Sequence, residues 1–476
     1  MSRLPLRTRF GSWLLYAFAV LAALLATQWV AHLQVRSYLR DEAARAWFLA
    51  RSGSTPFQWQ FRQRDDLIAG TVFGASRFHV DDSGIHVDGD HTPVEIGLRL
   101  SQPLDLRQFD QLTIRTTPDK AARQIIIRET LDAPQVSAML DVPPTAVGPI
   151  DLSALAWRDE DGRPASVPRR ADMVRLRLDR SATAMLDIHS VRFAPSAGAT
   201  RLPAVTEVPH VTSVESALLL RDALRRREPS ALVVYAGDIP TESTHAPSPA
   251  GAGWRWLLTG LAATGMVLLR LRPPHSPSWR AGLEATALLA GPLAVILGGH
   301  LGDNLGAWTT VAIALTVAFA LTLRWPAWRE WISPSMAAWR GPALAMLVAL
   351  VVGAWFLAQA PDAHWPTPTQ FARYTAWAFV QQFLLCGLVA TRLEQAGLSS
   401  RATALAVATL FALMHTPNAA LMLATFVGGL IWSTAWLRDR NLAGIGLSHA
   451  VAATILFATA PTALLRSAEV SARFLL

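Results

Sequence analysis

Residues 378–390 read AFVQQFLLCGLVA, residues 411–419 read FALMHTPNA, and residues 441–453 read NLAGIGLSHAVAA. These stretches lie in a run of apolar helices predicted from about Ala372 to Pro461. Polar groups recur in the run at Gln381, Gln382, His415 and His449. Polar side chains inside a bilayer are costly, usually face the interior of a helix bundle, and mark a functional site. The rest of the chain is therefore interpreted as a scaffold for this cluster, plus one large domain outside the membrane.

Composition indicates a membrane protein with one soluble insert. The 476 residues are 51% hydrophobic and 16% charged, whereas soluble domains usually carry about 25% charged residues. The net charge is +8, and many arginines sit at predicted helix ends, where they orient a protein in a membrane. We therefore expect the lipid bilayer as a partner, and no nucleic acid. The single cysteine, Cys386, excludes an internal disulfide framework.

The N-terminus carries Arg3, Arg7 and Arg9, followed by an apolar run from Trp13 to Val30. This pattern fits either a cleaved signal peptide or an uncleaved anchor. The run approaches the ~20 residues that span a bilayer, and no clear small-x-small cleavage site follows it. We predict a membrane anchor over residues 1–36 in a bacterial-type inner membrane, with the N-terminus on the cytoplasmic side.

Residues 37–200 are predicted to form an extracytoplasmic β-sandwich. Short alternating stretches separated by turn signals are typical of that fold. They lie at Phe57–Phe61, Arg77–Val80, Pro93–Leu100, Gln111–Arg115, Gln124–Arg128, Met173–Leu178 and Met185–Phe193.

The phrases at Leu104–Leu112 and Leu186–Phe193 resemble galactose-binding-type jelly rolls over about residues 55–195. That resemblance implies a possible glycan ligand; a spacer or protein-contact module is the alternative.

Residues 201–252 are predicted as a helix, a strand and a linker. Val214–Arg227 has helical spacing and a basic end, Ala231–Tyr235 reads as a buried strand, and Thr241–Gly253 is rich in Ser, Pro, Ala and Gly. The arginines of the helix could touch anionic lipid headgroups or form an ordinary solvated face.

The C-terminal half divides into transmembrane helices over 253–340, a protease-like core over 341–465 and a tail over 466–476. Eight further spans are predicted at about 256–271, 283–301, 308–323, 344–360, 374–393, 403–415, 419–436 and 442–460. With the anchor, the fold class is a polytopic α-helical membrane protein of about nine spans with an inserted extracytoplasmic β-sandwich. Arginines concentrate in alternate loops, which supports a cytoplasmic N-terminus and places residues 37–252 outside.

Two of the quoted stretches resemble the motifs of the CAAX-protease and bacteriocin-processing (CPBP, or Abi) family of intramembrane proteases. The family has Glu-Glu-x-x-x-Arg, Phe-x-x-x-His, and His-x-x-x-Asn or Asp on separate helices. Phe411 to His415 satisfies the second motif, and the approach to His449 resembles the third. The resemblance covers about residues 340–465 and implies a glutamate-type or metal-assisted endopeptidase acting on membrane or envelope proteins.

The first motif departs from the family, because Gln381 and Gln382 replace both acids and Cys386 replaces the arginine. Ala453 stands where the third motif has Asn or Asp. A carboxylate can act as a general base near neutral pH, whereas a neutral amide cannot. None of the other intramembrane acids has the spacing to replace the lost pair; Glu284 is the one to test, and Glu394 reads as an interfacial charge near Arg392.

The candidate catalytic residues are Gln381, Gln382, Cys386, His415 and His449. The two histidines could bind a divalent metal such as zinc, although the usual third protein ligand is missing. Cys386 could form a nucleophile pair with a histidine, or simply be a buried small hydrophobe. The histidines could likewise make ordinary interhelical hydrogen bonds. Their predicted depths differ, so a tilted or broken helix is needed to bring them together.

Two classes of function follow. The first is a CPBP-type intramembrane endopeptidase or a catalytically silent relative, and the joint loss of two acids favours the silent form. The second is an envelope binding or assembly protein, whose sandwich recognises a glycan or a protein and whose helices anchor it. A transporter is a weaker third option, because no paired repeats or interrupted half-helices are evident.

Overall fold

The computed structural model describes residues 6–52, 54–75, 77–88, 93–100, 102–117, 122–130, 133–140, 148–179, 185–196, 202–238, 252–298, 306–333, 335–359, 363–465, 470, 471 and 474. The chain forms two compact units. One comprises Met1–Tyr38, Ser213–Ser216 and Pro249–Leu475, and the other Leu39–Thr212, Ala217–Ser248 and Leu476. Most of the predicted linker and of the predicted tail lies outside the described residues.

The β-rich unit contains sixteen strands among its described residues. They are β1 Gln58–Trp59, β2 Leu67–Phe73, β3 Arg77–Asp81, β4 Gly84–Asp88, β5 Val94–Leu98, β6 Leu104–Asp105, β7 Gln111–Thr117, β8 Ala122–Arg128, β9 Gln135–Met139, β10 Ile150–Asp151, β11 Trp157–Arg158, β12 Arg170–Ala171, β13 Met173–Leu178, β14 Leu186–Ala194, β15 Val205–Val208 and β16 Leu232–Tyr235.

Two antiparallel sheets share one core. The first has the order β10-β7-β14-β4-β3, with β1 also paired to β14, and the second has the order β11-β9-β8-β13-β5-β2. Residues of both sheets, such as Ile85 and Ile188 from the first and Ile125 and Leu176 from the second, are fully buried in the same cluster. The β-rich region is therefore present, with each predicted alternating stretch on a strand. Its extracytoplasmic placement, its kinship with jelly rolls and its glycan ligand stay predictions.

The helices are α1 Leu6–Ser52, α2 Val214–Arg227, α3 Ala252–Leu271, α4 Pro277–Leu297, α5 Ala307–Leu321, α6 Trp328–Trp331, α7 Arg340–Gln359, α8 Pro368–Gln382, α9 Thr391–Gln395, α10 Ser400–Leu413, α11 Ala419–Asp439, α12 Leu442–Thr459 and α13 Thr462–Leu465. A π-helical segment, Phe383–Ala390, joins α8 to α9 without a break. The predicted helix and strand of residues 201–252 correspond to α2 and β16.

The helix that contains the predicted anchor, α1, continues past residue 36 to Ser52. Ala31, Val35, Leu39 and Ala43 are buried at intervals of four residues, which places them on one face of a helix. Ala43 packs with Leu232 and Val234 of β16. This apolar stripe keeps the chain helical beyond the predicted boundary.

Six helical segments among the described residues are long and apolar enough to cross a membrane: Ser12–Ser52, Pro277–Leu297, Met336–Gln359, Pro368–Gln395, Ala419–Asp439 and Leu442–Thr459. Ala307–Leu321 and Ser400–Leu413 are apolar but shorter. The chain is therefore a multi-pass membrane protein. A helix is present at each predicted span, while the count of nine stays a prediction.

The helices around the predicted site approach each other closely at two glycine positions. A Cβ atom added to Gly429 of α11 would lie 2.9 Å from the Ala408 Cα of α10, and one added to Gly446 of α12 would lie 2.8 Å from the Phe379 ring of α8. Both distances are too short for real contacts, so glycine sets these helix separations. Close packing of this kind positions the side chains described next.

Candidate functional site

Gln382 lies at the last residue of α8, directly before the π-helical segment. Its side chain is buried, and its amide Nε2 donates a hydrogen bond to His449 Nδ1 on α12 at 3.2 Å. Cys386, one turn further along, donates from Sγ to Gln382 Oε1 at 3.2 Å. Two residues of the altered first motif and the histidine of the third therefore form one hydrogen-bonded chain.

His415 follows the C-terminal end of α10. Its Nδ1 donates to the Phe411 carbonyl oxygen at 2.7 Å, which fixes Nδ1 as the protonated nitrogen and leaves Nε2 as an acceptor. The Phe411 ring meets His415 edge-on at 4.9 Å and His449 edge-on at 5.5 Å between ring centroids. Both imidazoles thus pack against one aromatic ring despite their different predicted depths. The break after α10 and the mid-helix position of His449 provide this approach.

Two further side chains that the motifs do not identify lie against His449. The Tyr374 hydroxyl lies 3.5 Å from His449 Nε2, and the Trp432 ring lies 4.7 Å from the imidazole between centroids. Trp432 is itself held by a 2.9 Å hydrogen bond from Nε1 to Ser448 Oγ. Tyr374 precedes Gln381 by two helical turns, a spacing that places both on one face and could have identified it.

Gln381 differs from its neighbour, because it does not join the hydrogen-bonded chain. Among the described residues, nothing hydrogen-bonds to its Oε1, which is nevertheless buried. Gln381 lines a cavity of about 1340 Å³ together with Tyr374, His415 and His449. The rest of the described lining is almost entirely apolar and comes mainly from α4, α5, α7, α8, α11 and α12.

The acids considered as replacements lie elsewhere. Glu284 of α4 accepts a 2.7 Å hydrogen bond from Arg392 Nε and contacts Arg280 and Arg270 as well. Glu394 pairs with Arg440. The described cavity lining contains no Asp or Glu. Because three arginines hold its carboxylate and it does not line the cavity, Glu284 does not take the place of the lost acids.

The donor set does not fit a zinc site of the usual kind. Catalytic zinc normally has three protein ligands and one open position. Here His449 Nδ1 is occupied by Gln382 and His415 Nδ1 by Phe411, which leaves one nitrogen from each ring. No group of three His, Cys, Asp or Glu ligands is found at this site among the described residues. Metal binding by His415 and His449 stays a prediction, and no chemical step is derived from it.

The site is therefore a pocket of uncharged hydrogen-bonding groups beside a large apolar cavity. A carboxamide and a phenol can position a ligand or donate to an oxyanion, but neither replaces a carboxylate base. The thiol of Cys386 is buried and bonded to Gln382 rather than to a histidine. The catalytic roles of the five candidate residues stay predictions.

Residues 364–455 match the family model described as "Type II CAAX prenyl endopeptidase Rce1-like". The matched range contains Gln381, Gln382, Cys386, His415 and His449, together with Tyr374 and Trp432. No curated protein matches the chain, and no solved structure matches it. The family match supports the interpretation of this region as a CPBP-type protease or a relative of one.

Proposed function

We propose that this protein is a catalytically silent relative of CPBP proteases that binds an apolar segment of a membrane or envelope protein. The observation that carries the proposal is the hydrogen-bonded chain Cys386–Gln382–His449. It engages the side chains of Gln382 and Cys386 with each other and with His449, and it contains no carboxylate.

The chain of hydrogen bonds leaves the altered first motif without a general base. General-base catalysis requires a group that accepts a proton from water in reach of the scissile bond. The oxygen of Gln382 already accepts from Cys386, and the nitrogen of Gln382 occupies one side of His449. Because the thiol donates to a neutral oxygen and not to an imidazole, no nucleophile–base pair of the Cys–His type is formed.

The cavity accounts for binding. A segment entering it from the bilayer would gain van der Waals packing against the lining and a hydrogen bond, the interactions that drive helix association in lipid. Gln381 lies at the cavity wall with a buried Oε1 to which no described residue hydrogen-bonds. A backbone N–H of a non-helical or frayed segment would satisfy this acceptor, which favours a peptide over a purely hydrocarbon ligand.

Site-specific photocrosslinking tests the binding. A photoreactive residue at Val348, which lines the cavity, should capture an apolar transmembrane peptide, whereas one at Leu350, exposed on the same helix but outside the cavity lining, should not. Incubation of the same peptide with the purified protein should leave it intact. Peptide cleavage that disappears in His415→Ala or Cys386→Ala would show an active protease and refute the silent form.

We further propose an inner-membrane location with a cytoplasmic N-terminus and the β-rich unit outside. Glu284 contacts Arg270, Arg280 and Arg392, and Arg392 also donates to the Arg324 carbonyl oxygen. Arginines of successive alternate loops thus gather at one end of the helices, as the positive-inside rule requires of a cytoplasmic face. Labelling of single cysteines in a Cys386→Ala background, by an impermeant reagent on intact cells, should modify Ser153→Cys and spare Ser278→Cys. The opposite pattern would refute this orientation.

A further inference from the structure

A patch of histidines and carboxylates lies on the outer face of the first sheet, far in the sequence from the CPBP-like region. His79 of β3 is directly opposite His86 of β4, and Asp187 of β14 is opposite His86 on its other side. The alternate residues Ile85, Val87 and Ile188 point into the core. Since side chains alternate between the two faces of a strand, the polar residues share the solvent face.

The geometry of this patch is compact. The His79 and His86 rings are stacked at 4.6 Å between centroids with an interplanar angle of 18°. His86 Nε2 lies 3.1 Å from Asp81 Oδ1. One ligand atom from each of His79, Asp81 and His86 falls within 4.8 Å of the others, close enough for one ion to contact all three.

Two surrounding contacts fix the orientation of the ligand atoms. His86 Nδ1 bonds to Asp187 Oδ1 at 2.8 Å, which turns Nε2 toward Asp81. Asp81 Oδ1 accepts from the Ser83 backbone N–H at 2.8 Å and from the Ser83 hydroxyl at 2.7 Å. The short turn between β3 and β4 therefore holds the carboxylate in place.

We propose that His79, Asp81 and His86 form a binding site for a divalent transition-metal ion of the zinc class. Two imidazoles and one carboxylate suit zinc and its neighbours, whereas magnesium and calcium prefer oxygen ligands alone. Asp187 acts as the positioning residue, because metal-binding histidines usually donate their second ring nitrogen to a carboxylate. Ion binding releases the Nε2 proton of His86 to solvent. The contacts of that nitrogen with Asp81 and with the Ser83 hydroxyl, 2.8 Å away, are then replaced by bonds from the ion to His86 and Asp81.

The site leaves one coordination position open. Three protein ligands plus one free position are the arrangement of zinc sites that bind water or an incoming donor. His79 and Asp81 are exposed, so the fourth ligand can come from solvent or from a carboxylate or imidazole of a partner. The β-rich unit thereby gains a ligand-binding function that does not depend on the membrane-embedded site.

Zinc competition with a chromophoric chelator tests the proposal on the full-length protein, purified with an affinity tag that contains no histidine. We expect one zinc ion to be retained by wild type and lost in His86→Gln and Asp81→Asn. His189→Gln is the matched control, because His189 lies on a nearby position of β14 but bonds to Thr117 and to the Ser83 carbonyl oxygen. It should bind zinc as wild type does. Asp187→Asn should retain the stoichiometry and weaken the affinity by about 10–100-fold.

The His415→Ala/His449→Ala double variant separates this site from the helical one. We expect it to keep the zinc ion, and cobalt bound to it should give the intense visible absorption of a low-symmetry site, which His79→Gln should remove. Zinc affinity unchanged in His86→Gln, or zinc lost in the double variant, would overturn the proposal. Absence of zinc binding in wild type at micromolar concentrations would overturn it as well.

Discussion

Replacement of Glu284 by Gln should destabilise the helical unit strongly. Its carboxylate is 6% exposed and lies 2.7 Å from Arg392, whose side chain is 7% exposed. Arg280 lies 3.0 Å and Arg270 3.5 Å from the same carboxylate. Glutamine can still accept a hydrogen bond from Arg392, but it leaves three neighbouring guanidinium groups without their shared anion.

The expected cost is about 3–5 kcal/mol, the range for removal of one partner from a buried ion pair. Arg392→Gln should cost less, because Glu284 would keep Arg280 and Arg270, which are 42% and 32% exposed and remain partly solvated. The double variant should be less destabilised than the sum of the single variants, since each change removes the same contact.

Unfolding in mixed micelles, followed by tryptophan fluorescence during titration with a denaturing detergent, measures these differences. Glu394→Gln is the matched control. Its ion pair with Arg440 has side chains that are 36% and 26% exposed, so its loss should cost about 1 kcal/mol or less. Equal destabilisation by Glu284→Gln and Glu394→Gln would refute the reasoning that burial determines the value of these pairs.

Three other perturbations test the packing, the site and the sandwich. Gly429→Ala should destabilise the helical unit by about 1–3 kcal/mol in the same unfolding assay, because the added Cβ would clash with the Ala408 backbone. Gly260 has open space around it, so Gly260→Ala should be neutral or slightly stabilising. Gln382→Leu should lower the stability by about 1–3 kcal/mol in that assay, because it leaves His449 Nδ1 buried and unpaired. A smaller loss of stability for Gln382→Leu than for Gln381→Leu would contradict this interpretation. Burial lowers the pKa of His86, but its hydrogen bonds to Asp187 and Asp81 outweigh burial and raise that pKa above the ordinary 6.5. The protonated imidazole therefore stabilises the folded state below pH 6.5. This stabilisation is lost as the pH rises through the higher pKa of the folded state. In chelator-treated protein, the difference in sandwich melting temperature between wild type and His86→Gln should accordingly be larger at about pH 5.5 than at about pH 8.5, and a difference that grows with pH would contradict the sign.

Hydropathy and the alternation of apolar and polar residues predict most of the helices and strands, because most of them show either an apolar run or a regular alternation. The apolar runs of the C-terminal half coincide with helices, and the regular alternating stretches coincide with strands. β2 was missed for a physical reason. Ala69 and Gly70 have φ of 57° and 63°, and a register shift interrupts its pairing with β5 between Leu67 and Val72, so its side chains do not alternate.

Motif spacing predicts only in part which side chains meet in the structure. The motif spacing identified Gln381, Gln382, Cys386, His415 and His449, and the structure places Gln382, Cys386 and His449 in one hydrogen-bonded chain. The packing of Trp432 on His449 depends on how α11 and α12 meet, which spacing within one helix does not determine. The partner of Glu284 was not predictable either, because Arg392 lies 108 residues away in the chain.

The π-helical segment Phe383–Ala390 separates two sites on one continuous rod. Gln382 precedes it and binds His449, while Arg392 follows it and binds Glu284. A π turn holds one more residue than an α turn, and one residue of α-helix corresponds to about 100° of rotation. Deletion of a single residue from 383–390 would therefore rotate Gln382 or Arg392 away from its partner if the other residue kept its contact. The length of this segment, more than its composition, sets the relative orientation of the two sites about the helix axis. Relatives of this chain should therefore vary the residue types in this segment more freely than the number of residues.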